Sequence, residues 1–501
     1  MKQLAHKNIL VLGLGASGLA LARWCARAGA QVTVADTRPA PPQLQALRAH
    51  VPAATFIHAE MGDALLATVA FDLVLKSPGL SPASVAGVIH AAAARGIACG
   101  NELSLFAQAL ADLKEDQAYA PQVIGITGTN GKTTVTSLTA QLVQRAGKSV
   151  AVAGNIGPTL LDTLAEKLDE RGDGHALPEV WVLELSSFQL DGIDNFEPTV
   201  AAVLNVTQDH LDWHETLPAY VAAKAQVYGR SGLMLLNRDD PLVMAALPPL
   251  VKGKQVRRYL TFGSDEPQRP GDYGIETVNG MAWLVRAVEA DETVKRRKQE
   301  EVVLHVQRLM PLDALRIRGR HNATNALAAL GLAAAVGCSL APMLHGLREY
   351  RGEPHRLESV AVLNEVEYFD DSKGTNVGAT VAALAGLGTD RRLVVILGGE
   401  GKGQDFSPLF EPVSRYVRAV VLIGRDAPLI RSALQTSQVP LLDAATMSEA
   451  VRLATQQARG GDAVLLSPAC ASFDMFDDYE HRAQVFCDAV QSLAHEQGAV
   501  L

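Results

Sequence analysis

The stretch GITGTNGKTT (residues 125–134) decides the fold of this chain, because it joins an apolar run to a glycine-rich turn and a helix start. Its last part, GKT (131–133), provides what a P-loop requires. Successive backbone N–H groups surround an anion, the lysine reaches the outer phosphates and the threonine hydroxyl ligates Mg²⁺. Ile126 stands where the first glycine of the usual pattern belongs, between Gly125 and Gly128. An ordinary turn with a surface lysine is the alternative, but the strand, loop and helix signals coincide, which favours ATP as the ligand.

The same pattern of a β-branched run and a glycine turn occurs before and after this stretch, in NILVLG (8–13) and RLVVILGG (392–399). Short apolar runs that alternate with helical stretches are typical of parallel sheets with crossover helices. Further runs continue each series: QVTVAD (31–36), FDLVLKSPG (71–79), VWVLELS (180–186), VAAVLNV (200–206), AVVLIG (419–424) and DAVLLSP (462–468). We therefore predict an α/β protein.

The length of 501 residues suggests about three domains at ~100–200 residues each. We expect a Rossmann-like N-terminal domain over residues 1–119, a central P-loop ATPase-like domain over 120–352 and a Rossmann-like C-terminal domain over 353–501. Residues 263–307 differ from the rest, since turn residues alternate there with the charged patch VKRRKQEE (294–301). An antiparallel hairpin insert and a mobile loop both remain open for this segment.

Composition excludes several classes of protein. The formal net charge of −9 disfavours a nucleic acid as the main ligand. The five cysteines include no C-x-x-C pair, which favours a reducing cytosol over a disulfide framework or a structural zinc site. Glycine and other polar or turn residues interrupt the apolar stretches 1–22 and 328–344, so we expect no signal peptide or membrane span, and a buried alanine-rich helix at the second.

The N-terminal run ends in the complete G-x-G-x-x-G pattern GLGASG (13–18), and Asp36 follows at the end of the next strand. Such glycines let backbone N–H groups approach a pyrophosphate, and the acid can hydrogen-bond a ribose hydroxyl. Taken alone, the pattern predicts a dinucleotide such as NAD, and a tight turn without a ligand is the alternative.

Candidate catalytic side chains follow later strands of the central segment. Glu184 and the pair Asp209-His210 come after β runs, and carboxylates at strand ends suit Mg²⁺. His210 and His214 also have a zinc-like i, i+4 spacing, although a third soft ligand is missing nearby. Lys224 lies in an alanine-rich helical stretch, where periodicity favours a solvated lysine.

Polar clusters elsewhere permit either structural or binding roles. HNATN (321–325) is an N-cap or a pair of amides that read a base edge. The C-terminal third contains HRLE (355–358), DDSKGTN (370–376), GGEGKG (398–403) and SPACASFD (467–474). Each is a turn with a helix cap if taken alone, but together they supply cations for phosphates and carboxylates.

The ordered set of motifs resembles the Mur ligase superfamily over nearly the whole chain. The set comprises TGTNGKTT, GNIG (154–157), ELSSFQL, NVTQDHLDWH, a helix lysine, GRHNATNALAA, HRLE and DSKGTNVGA. Within the superfamily the chain is most similar to the ligases that add D-glutamate to UDP-N-acetylmuramoyl-L-alanine. GLGASGLA, Asp36-Thr37-Arg38, Ser77-Pro78-Gly79, ELSSFQL and SPACASFD make that distinction.

The resemblance implies a role for each motif, and it replaces NAD with the uridine diphosphate part of the muramoyl substrate. It implies ATP binding by Gly128, Thr129, Asn130, Gly131, Lys132, Thr133, Thr134, Asn322, Asn325, Arg356 and Asp371. It implies binding of the UDP substrate by Gly15, Ala16, Ser17, Gly18, Asp36, Thr37, Arg38, Gly79 and Asn155. Two Mg²⁺ ions are implied at Thr133, Glu184, His210 and Lys224, the last carbamylated by CO₂. D-Glutamate is implied at Thr375, Lys402, Ser472 and Phe473, and the catalytic residues are Lys132, Lys224, His210 and Lys373.

The resemblance further implies a cytoplasmic, monomeric enzyme of peptidoglycan precursor synthesis that makes an amide through an acyl phosphate. Phe473 is larger than the aliphatic residue expected there, which matters little if its backbone N–H makes the contact. The 263–307 segment has no counterpart in the family core. The alternatives are a sibling ligase or a folylpolyglutamate synthase-like enzyme, an NAD-dependent oxidoreductase, and a nucleotide-gated interaction protein without chemistry.

Overall fold

The computed structural model describes residues 2–67, 69–290, 303–389 and 391–496 and contains three sheets, of five, nine and six strands. Helices connect the strands of each sheet, which confirms the predicted α/β class with three sheet-based units. The exact domain boundaries at 119/120 and 352/353 stay predictions.

The N-terminal sheet is parallel, with the strand order β3-β2-β1-β4-β5. Its elements are β1 (Asn8–Leu12), α1 (Ala16–Arg27), β2 (Gln31–Asp36), α2 (Leu44–His50), β3 (Thr55–His58), β4 (Leu73–Lys76), α3 (Pro82–Ala94), β5 (Ala98–Asn101) and α4 (Glu102–Gln117). The chain adds β2 and β3 on one side of β1 and then β4 and β5 on its other side, and open α/β sheets bind ligands at such a switch point in the strand order.

The central sheet has the order β14-β13-β12-β11-β10-β9-β6-β8-β7. Its first elements are β6 (Gln122–Thr127), α5 (Lys132–Arg145), β7 (Val150–Gly154), α6 (Leu160–Gly172), β8 (Val180–Glu184), α7 (Ser187–Leu190), β9 (Val200–Val203), α8 (Leu211–His214) and α9 (Leu217–Ala225). The chain continues through β10 (Leu233–Asn237), α10 (Pro241–Met244), β11 (Tyr259–Phe262), β12 (Tyr273–Val278), β13 (Met281–Glu289), β14 (Leu304–Pro311), α11 (Arg320–Ala335) and α12 (Leu340–Glu349).

The unusual segment 263–307 contributes to the edge of this sheet. β12 pairs parallel with β11, and β13 then pairs antiparallel with both β12 and β14. The described part of the segment therefore forms the antiparallel insert, which is one of the two interpretations that the sequence left open. The charged patch 294–301 lies outside the described residues.

The C-terminal sheet has the order β15-β16-β20-β17-β18-β19 and is parallel except for the β15–β16 pair. Its elements are β15 (Glu358–Leu363), β16 (Val366–Asp370), α13 (Val377–Gly388), β17 (Leu393–Gly398), α14 (Phe410–Tyr416), β18 (Val417–Ile423), α15 (Ala427–Leu434), β19 (Leu441–Asp443), α16 (Met447–Gln457), β20 (Ala463–Leu466) and α17 (Tyr479–Glu496).

The N-terminal and central units share one hydrophobic core, which runs from Ile9 and Phe106 to Trp181 and Leu236. The C-terminal sheet has separate cores on its two faces. The first two units are thus packed together, whereas the third meets the central unit through the α11–α13 contact and through hydrogen bonds such as Arg356–Thr133 and Asn376–Asn130.

The apolar stretch 328–344 is not one buried helix as predicted. It contains the end of α11 and the start of α12, because the chain leaves the helix at Val336 and Gly337 adopts a positive φ of 81°. Among the residues that the structure describes, no helix is both long and apolar enough to cross a bilayer.

Candidate active site

The P-loop turns between β6 and α5, and Gly131 caps the helix with a φ of 82°. A side chain at Gly131 would place its Cβ 2.8 Å from Asn325 Oδ1, so glycine is required there. The Lys132 ammonium folds back over the loop and donates to the carbonyl oxygens of Gly128 and Thr129 at 2.9 and 2.8 Å. Burial lowers the pKa of Lys132. The loop therefore holds a cation at the N-terminus of a helix, which suits a phosphate group.

Glu184 ends β8 beside this loop and is buried. Its Oε1 accepts a hydrogen bond from Asn155 Nδ2 at 2.8 Å, while Oε2 has no hydrogen-bond partner among the described residues. His210 lies across the same cavity in the left-handed region, at a φ of 52°, and the Phe188 ring packs 4.8 Å from it. Burial lowers the pKa of His210. Glu184 and His210 thus reach one cavity, Glu184 from the end of β8 and His210 from the segment after β9.

Lys224 is only 2% exposed, so the solvated lysine that periodicity favours is wrong. Its ammonium donates to the Gly128 carbonyl at 2.8 Å and lies 4.4 Å from the centroid of the Tyr220 ring. Burial and the neighbouring charge of Lys132 hold the pKa of Lys224 well below its ordinary value. Contacts from a distant loop override the surface position that the helix pattern suggests.

The two histidines with zinc-like spacing do not share a helix face. His210 is the residue before the single-turn helix α8, whereas His214 ends it and is buried. His214 Nε2 is 2.9 Å from Ser187 Oγ, and burial lowers the pKa of this ring to about 4. His214 is thus engaged in packing and hydrogen bonding, and the zinc interpretation finds no support here.

A smaller cavity of about 120 Å³ adjoins the P-loop, and its walls come from the central and C-terminal units. Asn322 and Asn325 line it from the first turns of α11, and Asn325 Nδ2 donates to Asn322 Oδ1 at 3.1 Å. The N-cap of α11 is Gly319, so the N-cap interpretation of HNATN is wrong. Thr134 and Asp371 also line this cavity.

Asp371 is buried, and its carboxyl accepts hydrogen bonds from Ser467 Oγ at 2.7 Å and from the Leu357 N–H at 3.3 Å. Burial nevertheless raises the pKa of Asp371 to about 7. Arg356, on the linker before β15, donates from Nη2 to Thr133 Oγ1 at 2.9 Å. That bond joins the C-terminal unit to the P-loop.

The main cavity, of about 770 Å³, lies between the P-loop and the C-terminal unit. Lys373 lines it with its ammonium 3.4 Å from the centroid of the Tyr479 ring, and burial lowers the pKa of Lys373 to about 8. Thr375 and Lys402 also line it. The cavity is thus bordered by cations from both units.

Ser472 and Phe473 do not form part of that wall. Ser472 is buried, and the exposed Phe473 ring has its centroid 5.8 Å from Lys402 Nζ. The proposed D-glutamate residues therefore form two neighbouring groups rather than one contiguous surface.

Some side chains at the cavity were not among the predicted site residues. Asn376 exchanges side-chain hydrogen bonds with Asn130 at 3.1 and 3.3 Å across the cleft, and also contacts Asp209 at 3.4 Å. Asn376 stands in the quoted DDSKGTN cluster, so its position in a polar motif was the available signal. Tyr479 gave no such signal, because it reaches the cavity from the start of α17.

The G-x-G-x-x-G loop forms a separate site on the N-terminal unit. Gly18 is essential to the turn, since a Cβ there would lie 2.0 Å from the Gly13 carbonyl oxygen. Asp36 accepts from the Leu14 N–H at 2.7 Å and from Arg38 Nε and Nη2, both at 2.8 Å. The Arg38 guanidinium lowers the pKa of Asp36 to about 2. Asp36 is only 2% exposed, and these hydrogen bonds occupy its carboxylate. It therefore presents little surface for a ribose hydroxyl.

The remaining predicted contacts of this site lie at the carboxyl ends of β1, β2 and β4. Gly15 is the N-cap of α1, with Ala16 and Ser17 in its first turn, while Thr37 and Gly79 follow β2 and β4. Asn155 is apart from them and lines the main cavity of the central unit. The predicted residues thus extend from one site to the other.

Family models match each of the three units. The Mur ligase MurD-like N-terminal domain matches residues 7–100, the Mur ligase middle domain matches 126–333, and the Mur ligase glutamate ligase domain matches 355–470. Together these matches cover most of the chain and identify it as a Mur ligase.

Full-length relatives refine this result. The UDP-N-acetylmuramoylalanine--D-glutamate ligase of Albidiferax ferrireducens is 67% identical, over 100% of this chain and 99% of the relative. The ligase of the same name from Polaromonas sp. is 61% identical over 100% of both chains. The chain belongs to the UDP-N-acetylmuramoylalanine--D-glutamate ligase family, which confirms the predicted resemblance.

Solved structures agree on the fold. The ADP-bound MurF ligase of Thermotoga maritima superposes with a TM-score of 0.56 at 15% identity, covering 99% of this chain and 97% of the other. At that identity the likeness concerns the three-unit architecture alone.

Proposed function

We propose that this protein joins D-glutamate to UDP-N-acetylmuramoyl-L-alanine in an ATP-dependent reaction that releases ADP and phosphate. The observation that carries the proposal is one cavity lined by the P-loop Lys132 and by the cations Arg356, Lys373 and Lys402 of the C-terminal unit. The buried Lys224 lies behind this lining, where its ammonium donates to the same Gly128 carbonyl as that of Lys132. Such a site can accept a triphosphate, a carboxylate and an amino acid together.

The geometry supports a reaction in two steps. The terminal carboxylate of the muramoyl substrate attacks the γ-phosphorus of ATP, the bond to the β-phosphate oxygen breaks and ADP leaves. Lys132, Arg356 and the backbone N–H groups of the loop stabilise the charge that develops on the phosphoryl oxygens. The neutral amine of D-glutamate then attacks the acyl carbon, phosphate leaves and the nitrogen gives up a proton.

Water must be excluded between these steps, since it would hydrolyse the acyl phosphate. The hydrogen bonds Arg356–Thr133 and Asn376–Asn130 bring the C-terminal unit against the P-loop and border the cavity on that side. We assign Thr375, Lys402, Ser472 and Phe473 to D-glutamate, with the ammonium of Lys402 facing a carboxylate.

The residues around Glu184 fit Mg²⁺. Glu184 Oε2 is buried without a hydrogen-bond partner among the described residues, and an unpaired buried carboxylate oxygen is well suited to a cation. Thr133, Glu184 and His210 would hold two such ions together with a carbamate on Lys224. Mg²⁺ would supply charge neutralisation at the transferred phosphoryl group.

The low pKa of Lys224 supports its carbamylation, because only the neutral amine reacts with CO₂. The amine nitrogen forms a bond to the carbon of CO₂ and loses a proton, which converts a cation into an anionic oxygen ligand. The buried surroundings exclude the water that would otherwise stabilise the ammonium.

The remaining assignments follow from the same proposal. The loop residues Gly15 to Gly18, with Thr37, Arg38 and Gly79, would hold the uridine diphosphate, and Asp36 would orient Arg38 and the Leu14 N–H for it. Asn155 would hold the part nearer the reacting carboxylate. The boundaries at 119/120 and 352/353 would separate three domains with one substrate each. We also propose a monomer that acts in the cytoplasm, in peptidoglycan precursor synthesis.

ADP release tests the function directly. The purified protein is supplied with ATP, Mg²⁺ and UDP-N-acetylmuramoyl-L-alanine, and with D-glutamate, L-glutamate or meso-diaminopimelate in parallel. We expect turnover only in the reaction to which D-glutamate is added as the amino acid. Turnover with meso-diaminopimelate would indicate a sibling ligase, and ATP binding without turnover would indicate a protein without this chemistry.

A further inference from the structure

The first turn of α4 carries a buried carboxyl group that the proposed reaction does not use. Glu102 is 1% exposed, and its Oε1 accepts a hydrogen bond from the backbone N–H of Leu161 at 3.1 Å. Oε2 has no hydrogen-bond partner in the part of the chain that the structure describes. The Ser17 hydroxyl and the Leu160 N–H also face this carboxyl, and they oppose the rise in the pKa of Glu102 that burial causes.

These contacts join both halves of the proposed UDP-substrate site. Ser17 belongs to the glycine-rich loop of the N-terminal domain. Leu160 and Leu161 begin α6, directly after the turn that carries Asn155. Glu102 is therefore a direct polar link between the two segments.

The neighbouring Asn101 adds a second link at the same place. Its Nδ2 donates to the Gln189 carbonyl at 3.0 Å, and Gln189 lies in α7, shortly after Glu184. The start of α4 thus contacts the segments that follow β7 and β8. Asn155 lies in the first of these segments, and Glu184 is the last residue of β8.

Burial makes the Glu102 contact stronger than the surface contacts of the same interface. Arg23 pairs with Asp162 and Arg27 with Asp169 between α1 and α6, but these side chains are about one-third to two-thirds exposed. Exposed ion pairs contribute ~0–1 kcal/mol and restrict geometry weakly. Glu102 instead meets the positive N-terminal ends of α1 and α6 away from water, where its loss would leave a buried N–H unpaired.

We propose that Glu102 is a positioning residue, which fixes the glycine-rich loop relative to the start of α6 so that a UDP-linked substrate held at one end reaches the catalytic cavity at the other. The proposal rests on the proposed function, since it assumes that the loop binds uridine diphosphate. Glu102 itself lies outside the lining of the catalytic cavity, so it would act through the segments that it joins.

Two substitutions of similar size separate positioning from packing. Glu102→Met keeps the volume but removes the acceptor oxygen, whereas Glu102→Gln keeps the acceptor. We expect Glu102→Met to raise the KM for UDP-N-acetylmuramoyl-L-alanine roughly tenfold, or about 1.4 kcal/mol, with the KM values for ATP and D-glutamate unchanged. Glu102→Gln should recover most of that effect, and Glu115→Gln on the exposed face of α4 is the matched control.

A purely structural role predicts a different pattern, because less folded enzyme lowers kcat and leaves each KM as it was. Unchanged KM values in folded Glu102→Met, or equal increases for all three substrates, would overturn the proposal. Turnover of the wild-type protein with D-glutamate tests the proposed function separately, so the two failures are distinguishable.

Hydrogen exchange on the wild-type protein decides the matter even if Glu102→Met does not fold. UDP alone is added as the probe, because on the assignment above it contacts only the N-terminal domain. We expect slower exchange of the amides at 160–163, on the other side of the Glu102 link. Slower exchange confined to the N-terminal loops would show that the link does not transmit binding, and would contradict the proposal.

Discussion

Lys132 and Lys224 donate hydrogen bonds to the same atom, the carbonyl oxygen of Gly128, at 2.9 and 2.8 Å. Two ammonium groups on one acceptor repel each other, and the burial of Lys224 weakens the screening of this repulsion by solvent. Burial lowers the pKa of both, and Lys132 lowers that of Lys224 further. A carbamate on Lys224 would replace this repulsion with attraction, which gives the proposed modification an electrostatic basis.

Replacing Lys224 tests that idea. We expect Lys224→Ala to lose most of its activity, because an anionic ligand for Mg²⁺ disappears, and to regain part of it when a short carboxylate such as acetate is added in excess. Turnover is measured with and without acetate, and Lys254→Ala, at an exposed position, is the control.

Labelled bicarbonate provides the independent measurement. Wild-type protein should show a carbon-13 carbamate signal that Lys224→Ala lacks. Full activity of Lys224→Ala in CO₂-depleted buffer would mean that the amine itself, and not a carbamate, occupies this site.

Lys402 should act on D-glutamate and not on ATP. Lys402 lines the main cavity from the loop after β17, whereas the P-loop borders the cavity from the central unit. We expect Lys402→Ala to raise the KM for D-glutamate roughly tenfold, the effect of losing one charge-assisted hydrogen bond of about 1.4 kcal/mol. The KM for ATP should stay within about twofold of the wild-type value.

The neighbouring Phe473 serves as the comparison for this variant. Its ring is exposed, and a backbone contact to D-glutamate would not depend on the side chain. Phe473→Leu should therefore retain a near-normal KM for D-glutamate. Equal increases for ATP and D-glutamate in Lys402→Ala would assign the residue to phosphate binding or domain closure instead.

Asp371 should make stability depend on pH. An aspartate in the unfolded chain loses its proton near pH 4 (~3.9), whereas burial raises the pKa of the folded Asp371 to about 7. Between these values the folded state binds a proton that the unfolded state lacks, so the contribution of Asp371 to stability falls as pH rises and is constant above pH 7.

Asp371→Asn removes this titration. The Tm of the variant minus that of the wild type should increase from pH 5 to pH 7 and then level off, since Asn resembles the protonated carboxyl. Differential scanning fluorimetry without nucleotide provides the measurement, and Asp63→Asn, at an exposed position, is the control. A difference that stays flat or decreases over this range would mean that Asp371 is ionised in the folded protein.

The regular elements were predictable because they depend on local patterns. The run at 31–36 is β2 as predicted, and β8, β17 and β20 lie within their predicted runs. The P-loop followed from the spacing of Gly131, Lys132 and Thr133 between a strand and a helix. Each of these signals lies within about ten residues of sequence, the range over which propensity and periodicity act.

What the sequence did not predict depends on contacts between distant segments. Lys224 is buried because a carbonyl 96 residues earlier accepts its hydrogen bond. Asn376 pairs with Asn130 across 246 residues. The strands β12 to β14 extend the central sheet because β12 pairs with β11, a choice that alternating turn residues do not specify. Burial and pairing of this kind are properties of the packed fold.

The last prediction concerns the contact between α11 and α13, which brings the C-terminal unit against the nucleotide cavity. The half-buried His321 ring of α11 packs with its buried Nδ1 against Gly386 of α13, and a Cβ at Gly386 would lie 2.7 Å from His321 Nδ1 and 3.3 Å from Gly319 Cα. Gly378, near the start of α13, similarly approaches Thr207, since its Cβ would lie 2.6 Å from Thr207 Oγ1. Small residues on α13 therefore permit close approach of the two units.

Gly386→Ala should hold the units apart and misalign Lys373 and Lys402 with the P-loop. We expect kcat to fall ~10–10²-fold, because displacement of about 1 Å has effects of this size, while the Kd of the UDP substrate is unchanged. The double variant Gly386→Ala/His321→Ala should recover part of the loss by making room for the methyl group, and Gly172→Ala, where a Cβ meets open space, is the control. Small-angle scattering with ATP and substrate should show a larger radius of gyration for Gly386→Ala than for the wild type. Normal turnover and scattering of the single variant would mean that the α11–α13 contact does not determine how close the C-terminal unit lies to the P-loop.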